Sequence, residues 1–216
     1  MMRTAPLTLD YEREPDAIYR ASFAQIEALP ALADVPHALR PLAVRLVHTT
    51  GDPAVAPRLV ASEGILAAGR AALDAGADIY CDTDTVRHGI MQRLLPAGCR
   101  THCAVHDAAT ADHAKASCTT RSAAQFDLWG ERLDGQIVAI GNAPTALFRL
   151  LEIVDAGIAK PACVLAFPVG FVGAAESKAE LVRDPRGMAF ATVPGRTGGS
   201  GWAQAAVNAV AGGLGR

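Results

Sequence analysis

The feature that most constrains the fold is an alternation of short apolar segments and helix-like segments that begins at residue 77. Alternation of this kind indicates right-handed βαβ units, which build a mainly parallel sheet with helices on both faces. The sequence therefore predicts an α/β fold with a five-stranded, mainly parallel sheet. The predicted strands are 77–83, 100–105, 136–142, 162–170 and 188–195.

Each predicted strand is followed by a segment with apolar residues at helical spacing. These segments are 84–98, 107–117 with 119–133, 143–157, 174–184 and 200–215. The glycines and prolines between them mark the expected turns. No internal repeat, low-complexity tract or linker interrupts the pattern, so we expect one domain over residues 1–216.

Helices are also predicted before the first strand. Residues 12–29 form an amphipathic helix after Pro15, and residues 64–76 form another that is closed by Gly76. Residues 37–51 form a mostly apolar run that Pro41 interrupts and that ends in a turn. Residues 55–64 are predicted to form a short helix. The expected apolar stripe of the first helix is Ile18, Ala21, Phe23, Ile26 and Leu29.

Composition narrows the class of protein. Half of the 216 residues are hydrophobic but only 5% are aromatic, so small aliphatic side chains fill the core, as suits helices on a buried sheet. The net charge of −2 argues against a nucleic-acid partner bound by general electrostatics. No apolar run reaches the length of about 18 residues that a membrane span needs, so no membrane partner is expected.

The cysteines and the N-terminal segment bear on the compartment. The first sixteen residues contain no apolar signal core, and the five cysteines are odd in number with no CxxC pair. We therefore expect reduced thiols and a cytoplasmic protein. Cys99 to Cys103, "CRTHC", superficially resembles a metal motif, but Cys103 falls in a predicted strand and is expected to act as a small hydrophobe. No metal site is predicted.

Polar residues follow the predicted strands at the edge where ligands bind in open α/β sheets. After the third strand, Asn142 can cap a helix, Thr145 offers a hydroxyl, and the helix start presents N–H groups to an anion. After the fifth strand, Arg196 and the glycine-rich segment up to Ser200 offer a guanidinium and further backbone donors. The strand ends therefore predict a pocket for an anionic ligand.

One imidazole stands out in "RLVHTTGDP", Arg45 to Pro53, where His48 ends an apolar run just before a turn. Two hypotheses fit it: a partly buried structural histidine, or a proton donor that faces the pocket. Arg121 is likewise either a solvated surface arginine or a substrate ligand. The P-loop, dinucleotide-binding, GxSxG and HExxH motifs are missing from the sequence. What remains suits an anionic substrate whose chemistry needs little beyond a placed proton.

Six motifs follow one another along most of the chain: "IYRASF", "RLVHTTGDP", "CTTRSAA", "VAIGNAPTALFRLLE", "PVGFVGAAESK" and "PGRTGGSGWAQAAVNA". Together, and in this order, they resemble the precorrin-8X methylmutase family of cobalamin biosynthesis. The resemblance implies a flavodoxin-like three-layer α/β/α sandwich, a homodimer, and no cofactor or metal. It also implies an isomerase that moves a methyl group from C-11 to C-12 of a tetrapyrrole and so gives hydrogenobyrinate.

The resemblance also assigns roles to residues. It implies that His48 is catalytic and protonates the ring C region, which favours the tautomer whose methyl group migrates. Arg121 matches the arginine of the family's "TRS" motif, and Ser22 the serine of its "SF" motif. The acetate and propionate arms of such a substrate need guanidinium and N–H partners. The predicted substrate-binding residues are Ser22, Arg121, Ser122, Asn142, Thr145, Arg196, Gly198 and Ser200.

Two alternatives stay open beside this function. The substrate of the same reaction is either metal-free precorrin-8X or cobalt-precorrin-8, depending on when cobalt is inserted. A hypothesis of a different class is a non-catalytic corrinoid carrier that hands the product to the next enzyme. A generic flavin binder is disfavoured, because two tryptophans and three tyrosines offer no stacking pattern.

Overall fold

The computed structural model describes residues 9–212, which form a six-stranded sheet between two layers of helices. The strands are β1 (Val60–Ala61), β2 (Ile79–Cys81), β3 (Thr101–His102), β4 (Ile137–Ile140), β5 (Cys163–Ala166) and β6 (Ala189–Thr192). The helices are α1 (Pro15–Glu27), α2 (Arg40–Thr50), α3 (Ile65–Asp74), α4 (Asp84–Gly89), α5 (Ala108–Ala116), α6 (Arg121–Trp129), α7 (Pro144–Asp155), α8 (Ala174–Arg183) and α9 (Ser200–Val210).

The sheet has the strand order β1-β6-β5-β4-β2-β3, and its five strands from β2 to β6 are parallel. Numbered along the chain, those five strands lie in the order 2-1-3-4-5, which is the flavodoxin-like order. The order of the strands reverses between β2 and β4, so a ligand crevice is expected at their carboxyl ends. The predicted fold class is confirmed, with one strand more than expected.

Alternating side chains of the central strands divide the core into two layers. Ile137 and Ala139 of β4 pack against α2, α3 and α9, whereas Val138 and Ile140 pack against α6 and α7. All four are at most 1% exposed. A strand that is apolar on both faces is expected where helices cover both sides of a parallel sheet. None of the described helices is long and apolar enough to cross a membrane.

The prediction for residues 55–64 was wrong. Residues Pro53–Arg58 form a 3₁₀ turn, and β1 then pairs antiparallel with β6 through Val60 opposite Thr192. Pro57 lies inside the turn and disfavours a regular α-helix, because it has no N–H to donate. The short antiparallel strand at the β6 edge could not be expected from a pattern of parallel strands.

Three smaller expectations also need correction. In α1, Ile18 is 46% exposed and Ala21 is exposed, because this helix packs mainly against α2 and needs only a narrow apolar stripe. Pro41 does not break α2 but lies in its first turn, where a missing N–H costs nothing. The strand predicted at 100–105 is limited to β3, so Cys103 is half-buried just beyond it. The predicted end of α9 at residue 215 lies outside the described residues.

Candidate active site

His48 lies in the last turn of α2 and is held there by side chains of α1. Its Nδ1 is 2.8 Å from Oγ of Ser22. The ring of Tyr19 stacks on the imidazole at a centroid distance of 5.6 Å, and Phe23 meets it edge-on at 5.0 Å. The ring is therefore fixed in position and orientation by three side chains of one helix.

The α1 sequence explains this arrangement. Tyr19, Ser22 and Phe23 stand at helical positions i, i+3 and i+4, so they share one face. On α2, Arg45 and His48 are likewise three residues apart, and Gly51 ends the helix with a φ of 67°. The sequence predicted Ser22 and His48 as site residues but missed Tyr19, although its spacing from Ser22 was a visible signal.

The surroundings of His48 favour the neutral imidazole. Burial lowers the pKa of His48 below its ordinary value, and the charge of Arg45 lowers it further. Arg45 is only 4% exposed, and its guanidinium lies 5.2 Å from the centroid of the Phe23 ring. A lowered pKa makes the imidazolium, when it forms, a stronger proton donor.

The second ring nitrogen of His48 is the one open to a ligand. Within residues 9–212, Nδ1 is bonded to Ser22 and no hydrogen bond engages Nε2. Ser22 and His48 line a cavity of about 270 Å³ that also touches Val47 and Pro53. The arrangement can therefore present one nitrogen to a ligand while Ser22 orients the other.

Asp82, at the end of β2, closes the start of α7. Its carboxylate accepts hydrogen bonds from the backbone N–H groups of Gly141, Asn142 and Ala143 at 2.8–2.9 Å. Burial raises the pKa of Asp82 above its ordinary value, and the three N–H donors offset only part of that rise. The N–H groups of Gly141, Asn142 and Ala143 therefore bind a buried carboxylate of the protein and not a substrate anion. The Asn142 side chain remains exposed.

Asp82 also fixes the neighbouring helix α6. Its backbone oxygen accepts from Gln125 Nε2 at 2.8 Å and from Ser122 Oγ at 3.4 Å. Ser122 is buried, so its hydroxyl donates to the Asp82 carbonyl oxygen and not to solvent. The helix begins at Arg121, whose side chain is exposed at the carboxyl edge of the sheet.

The hydroxyl predicted at Thr145 also has a protein partner. Thr145 Oγ1 lies 2.7 Å from Thr120 Oγ1, across the starts of α7 and α6. Thr120 is the N-cap of α6 and accepts from Ala123 N–H. The pair ties the two helix starts together beside Arg121.

The loop between β6 and α9 carries the remaining predicted residues. A Cβ on Gly198 would lie 2.3 Å from the carbonyl oxygen of Phe167, so only glycine fits there. Gly199 N–H donates to the same oxygen at 2.9 Å. The Arg196 guanidinium lies 5.6 Å from the ring centroid of Phe171, which is 85% exposed. Ser200 then begins α9.

Close contacts join these parts along the carboxyl edge of the sheet. A Cβ on Gly141 would lie 2.6 Å from Cα of Ser200, so the end of β4 touches the start of α9. A Cβ on Gly201 would lie 3.4 Å from Cγ2 of Thr49, the residue after His48. The His48 end of α2 and the starts of α7 and α9 are therefore neighbours. The sequence alone could not bring them together, because strand order is a property of the whole sheet.

Comparison with known proteins gives this arrangement a family. The family profile described as precorrin-8X methylmutase matches residues 17–212. The chain is 52% identical over 203 residues to the precorrin-8X methylmutase of Pseudomonas aeruginosa, covering 94% of this chain and 98% of that protein. It is 36% identical over 171 residues to the cobalt-precorrin-8 methylmutase of Priestia megaterium, covering 79% and 75%.

A solved structure agrees with the family assignment. The precorrin-8X methylmutase of Thermus thermophilus superposes with a TM-score of 0.82 at 32% sequence identity. The match covers 92% of this chain and 96% of that one.

Proposed function

Because the chain belongs to the precorrin-8X methylmutase family, we propose that it is an isomerase that converts precorrin-8X into hydrogenobyrinate by moving a methyl group from C-11 to C-12. One observation carries the assignment of the site: His48 is oriented through Nδ1 by Ser22, and Nε2 is left for the substrate. This orientation supports the proposal that His48 is the catalytic proton donor.

In the proposed mechanism His48 sets the tautomer of the substrate. The imidazolium gives its Nε2 proton to the ring C region while Nδ1–H donates to Ser22 Oγ. The methyl group then migrates with its bonding electrons around the conjugated ring, a sigmatropic step that needs no nucleophile. Substrate and product are isomers, so no proton is gained or lost overall. The proton that His48 adds at one position of the ring must therefore be matched by a proton that another position gives back to His48. Tyr19 and Phe23 keep the imidazole from rotating during the transfer.

The carboxylate arms of the substrate are proposed to bind along the carboxyl edge of the sheet. The exposed guanidiniums of Arg121 and Arg196 suit bidentate carboxylate binding. The start of α9 at Ser200 supports the same role, because no side chain of the described residues caps it. We propose that four more residues either contact the substrate or hold the residues that do: the Asn142 side chain, Thr145, Ser122 and Gly198.

The metal-free substrate is the preferred one in this proposal. Identity is 52% to a relative named for precorrin-8X and 36% to one named for cobalt-precorrin-8, which favours the former. No group of this chain is assigned to cobalt. Cobalt-precorrin-8 remains the second candidate substrate.

We further propose a single-domain homodimer that works in the cytoplasm. A cavity of about 270 Å³ beside His48 is small for a tetrapyrrole. Drug-sized ligands commonly occupy about 300–1,000 Å³. A second subunit over the carboxyl edge would enclose the substrate. All five cysteines are free, which supports a reducing compartment.

The proposal is tested by absorption spectroscopy with the purified protein and both substrates. We expect precorrin-8X to be converted to the hydrogenobyrinate spectrum faster than the cobalt form, and the His48→Ala variant to be inactive on both. Binding of both tetrapyrroles by the wild type without conversion would instead support the carrier that hands its ligand to the next enzyme. Failure to bind either would refute the proposed substrate class.

A further inference from the structure

Lys178, in α8, is a buried cation that the proposed mechanism does not use. Its side chain is 0% exposed, and Nζ donates to the carbonyl oxygen of Thr197 at 2.7 Å. Thr197 belongs to the loop between β6 and α9, which carries Arg196 and Gly198 and leads into Ser200 at the start of α9. Burying an ammonium group is costly, so its retention under this loop calls for a physical reason.

No carboxylate of the described residues compensates Lys178. Of the acids on α8, Glu180 pairs with Arg183 and Arg186, and Glu176 is exposed. Asp155 of the adjacent α7 pairs with Arg186. No aspartate or glutamate occurs anywhere in the sequence after residue 184.

A second cation supports the same loop. Arg58 donates through Nη2 to the carbonyl oxygen of Pro194 at 3.1 Å and to Thr197 Oγ1 at 2.9 Å. Burial, and then the charge of Arg58, lower the pKa of Lys178 to about 8. With Arg196, three positive side chains surround one loop of the described structure without an acid among them. The charge around this loop therefore favours an anionic ligand.

The peptide between Thr197 and Gly198 connects Lys178 to the site. All described peptide bonds are trans, so the N–H of this unit points opposite to its C=O. Since the Thr197 carbonyl is turned toward the buried ammonium group, the Gly198 N–H is turned away from α8. Gly198 itself is fixed against the Phe167 carbonyl, where no side chain fits.

We propose that Lys178 is a positioning residue that, by holding the Thr197 carbonyl inward, directs the Gly198 N–H outward to bind one carboxylate arm of the tetrapyrrole. The positive charges of Lys178 and Arg58 also attract that carboxylate electrostatically, although neither side chain contacts it. This role rests on the proposed function and adds a specific carboxylate subsite to it.

The test measures binding of hydrogenobyrinate to wild type and to Lys178→Met, with Lys115→Met, an exposed lysine of α5, as the charge control. Loss of a charge-assisted contact predicts that Lys178→Met raises Kd and KM about tenfold or more, with kcat changed little. Lys115→Met is expected to match wild type. An analogue with amidated arms should bind wild type and Lys178→Met equally.

The wild-type pH profile provides a readout that does not depend on the variant folding. Below about pH 8 Lys178 is charged and Kd should be constant; above it, Kd should rise as the charge is lost. The arginines stay charged over this range, and His48 titrates well below it. A flat profile from pH 7 to above 9, or an unchanged Kd in folded Lys178→Met, would overturn the role of Lys178. If the wild type bound no tetrapyrrole at all, the proposed function itself would fail.

Discussion

At the scale of single residues, the chemistry is concentrated on the two nitrogens of His48. Nδ1 is committed to Ser22 and the ring is confined by Tyr19 and Phe23, so only Nε2 remains for a substrate within the described residues. The resemblance of "RLVHTTGDP" predicted this histidine. It did not predict the aromatic rings around it, because a contact between two helices is not visible in either one alone.

The lowered pKa of His48 predicts a pH dependence. If the imidazolium donates the proton, kcat/KM of the free enzyme is highest below the His48 pKa and falls as the pH rises through it. Because burial and Arg45 lower that pKa, the fall should be centred below about 6.5, the ordinary value for histidine. Initial rates at limiting substrate from pH 4.5 to 8.5 measure it. A rate that increases with pH over this range would point to a general base instead.

Asp82 links the end of β2 to the starts of α6 and α7 at the carboxyl edge of the sheet. Its two carboxylate oxygens accept three backbone N–H groups, and an amide nitrogen in place of either oxygen would face a donor. We expect Asp82→Asn to lower the free energy of unfolding by about 1.5–3 kcal/mol, the range for hydrogen bonds to charged groups. Urea unfolding at pH 7 measures this. The matched control is Asp74→Asn at an exposed position, and equal stability of the two variants would contradict the prediction.

At the scale of elements, local sequence predicted the five parallel strands and most helices, since each depends on spacing, capping and turn residues. The element it missed, β1, exists because β6 offers it an edge and Pro57 prevents a longer helix. The start of α7 was predicted from the sequence, but the Asp82 carboxylate that binds the backbone N–H groups there was not. Asp82 lies about 60 residues earlier, and only the pairing of β2 with β4 brings the two together.

The loop between β6 and α9 supplies a prediction at this scale. A methyl group on Gly198 would collide with the Phe167 carbonyl, so the loop must shift to accept it. We expect Gly198→Ala to lower the free energy of unfolding by about 1–3 kcal/mol, as overpacking does, and to weaken tetrapyrrole binding. Gly64→Ala is the control, because a Cβ there meets nothing within 4 Å. Thermal unfolding and a binding titration measure both effects, and a Gly198→Ala variant that behaves like the control would show that the loop is not tightly held.

At the scale of the whole molecule, the carboxyl edge of one sheet collects groups from α1, α2, α6, α7 and α9. This convergence follows from the reversal of strand order between β2 and β4, which the alternation of strands and helices does not determine. The sequence could therefore predict the candidate site residues, but it could predict only part of their arrangement in space. The family resemblance supplied the rest of the site as an expectation.

The open cavity beside His48 leads us to expect a homodimer in solution. Sedimentation equilibrium should give twice the chain mass of 22.4 kDa, and the dimer should persist at concentrations used for activity. Enclosing a large ligand between subunits also predicts that substrate strengthens the dimer, because a ligand that binds one state stabilises it. A fully active monomer would contradict this and would require that one subunit holds the tetrapyrrole alone.

The most direct test of the central claim is a single-turnover experiment with His48→Gln and precorrin-8X. Glutamine keeps a polar side chain beside Ser22 but cannot deliver a proton. We predict that the variant binds the substrate nearly as tightly as wild type and converts it about 100-fold or more slowly, the usual contribution of a general acid. Conversion at the wild-type rate would contradict the proton transfer from His48 and return this residue to a structural role.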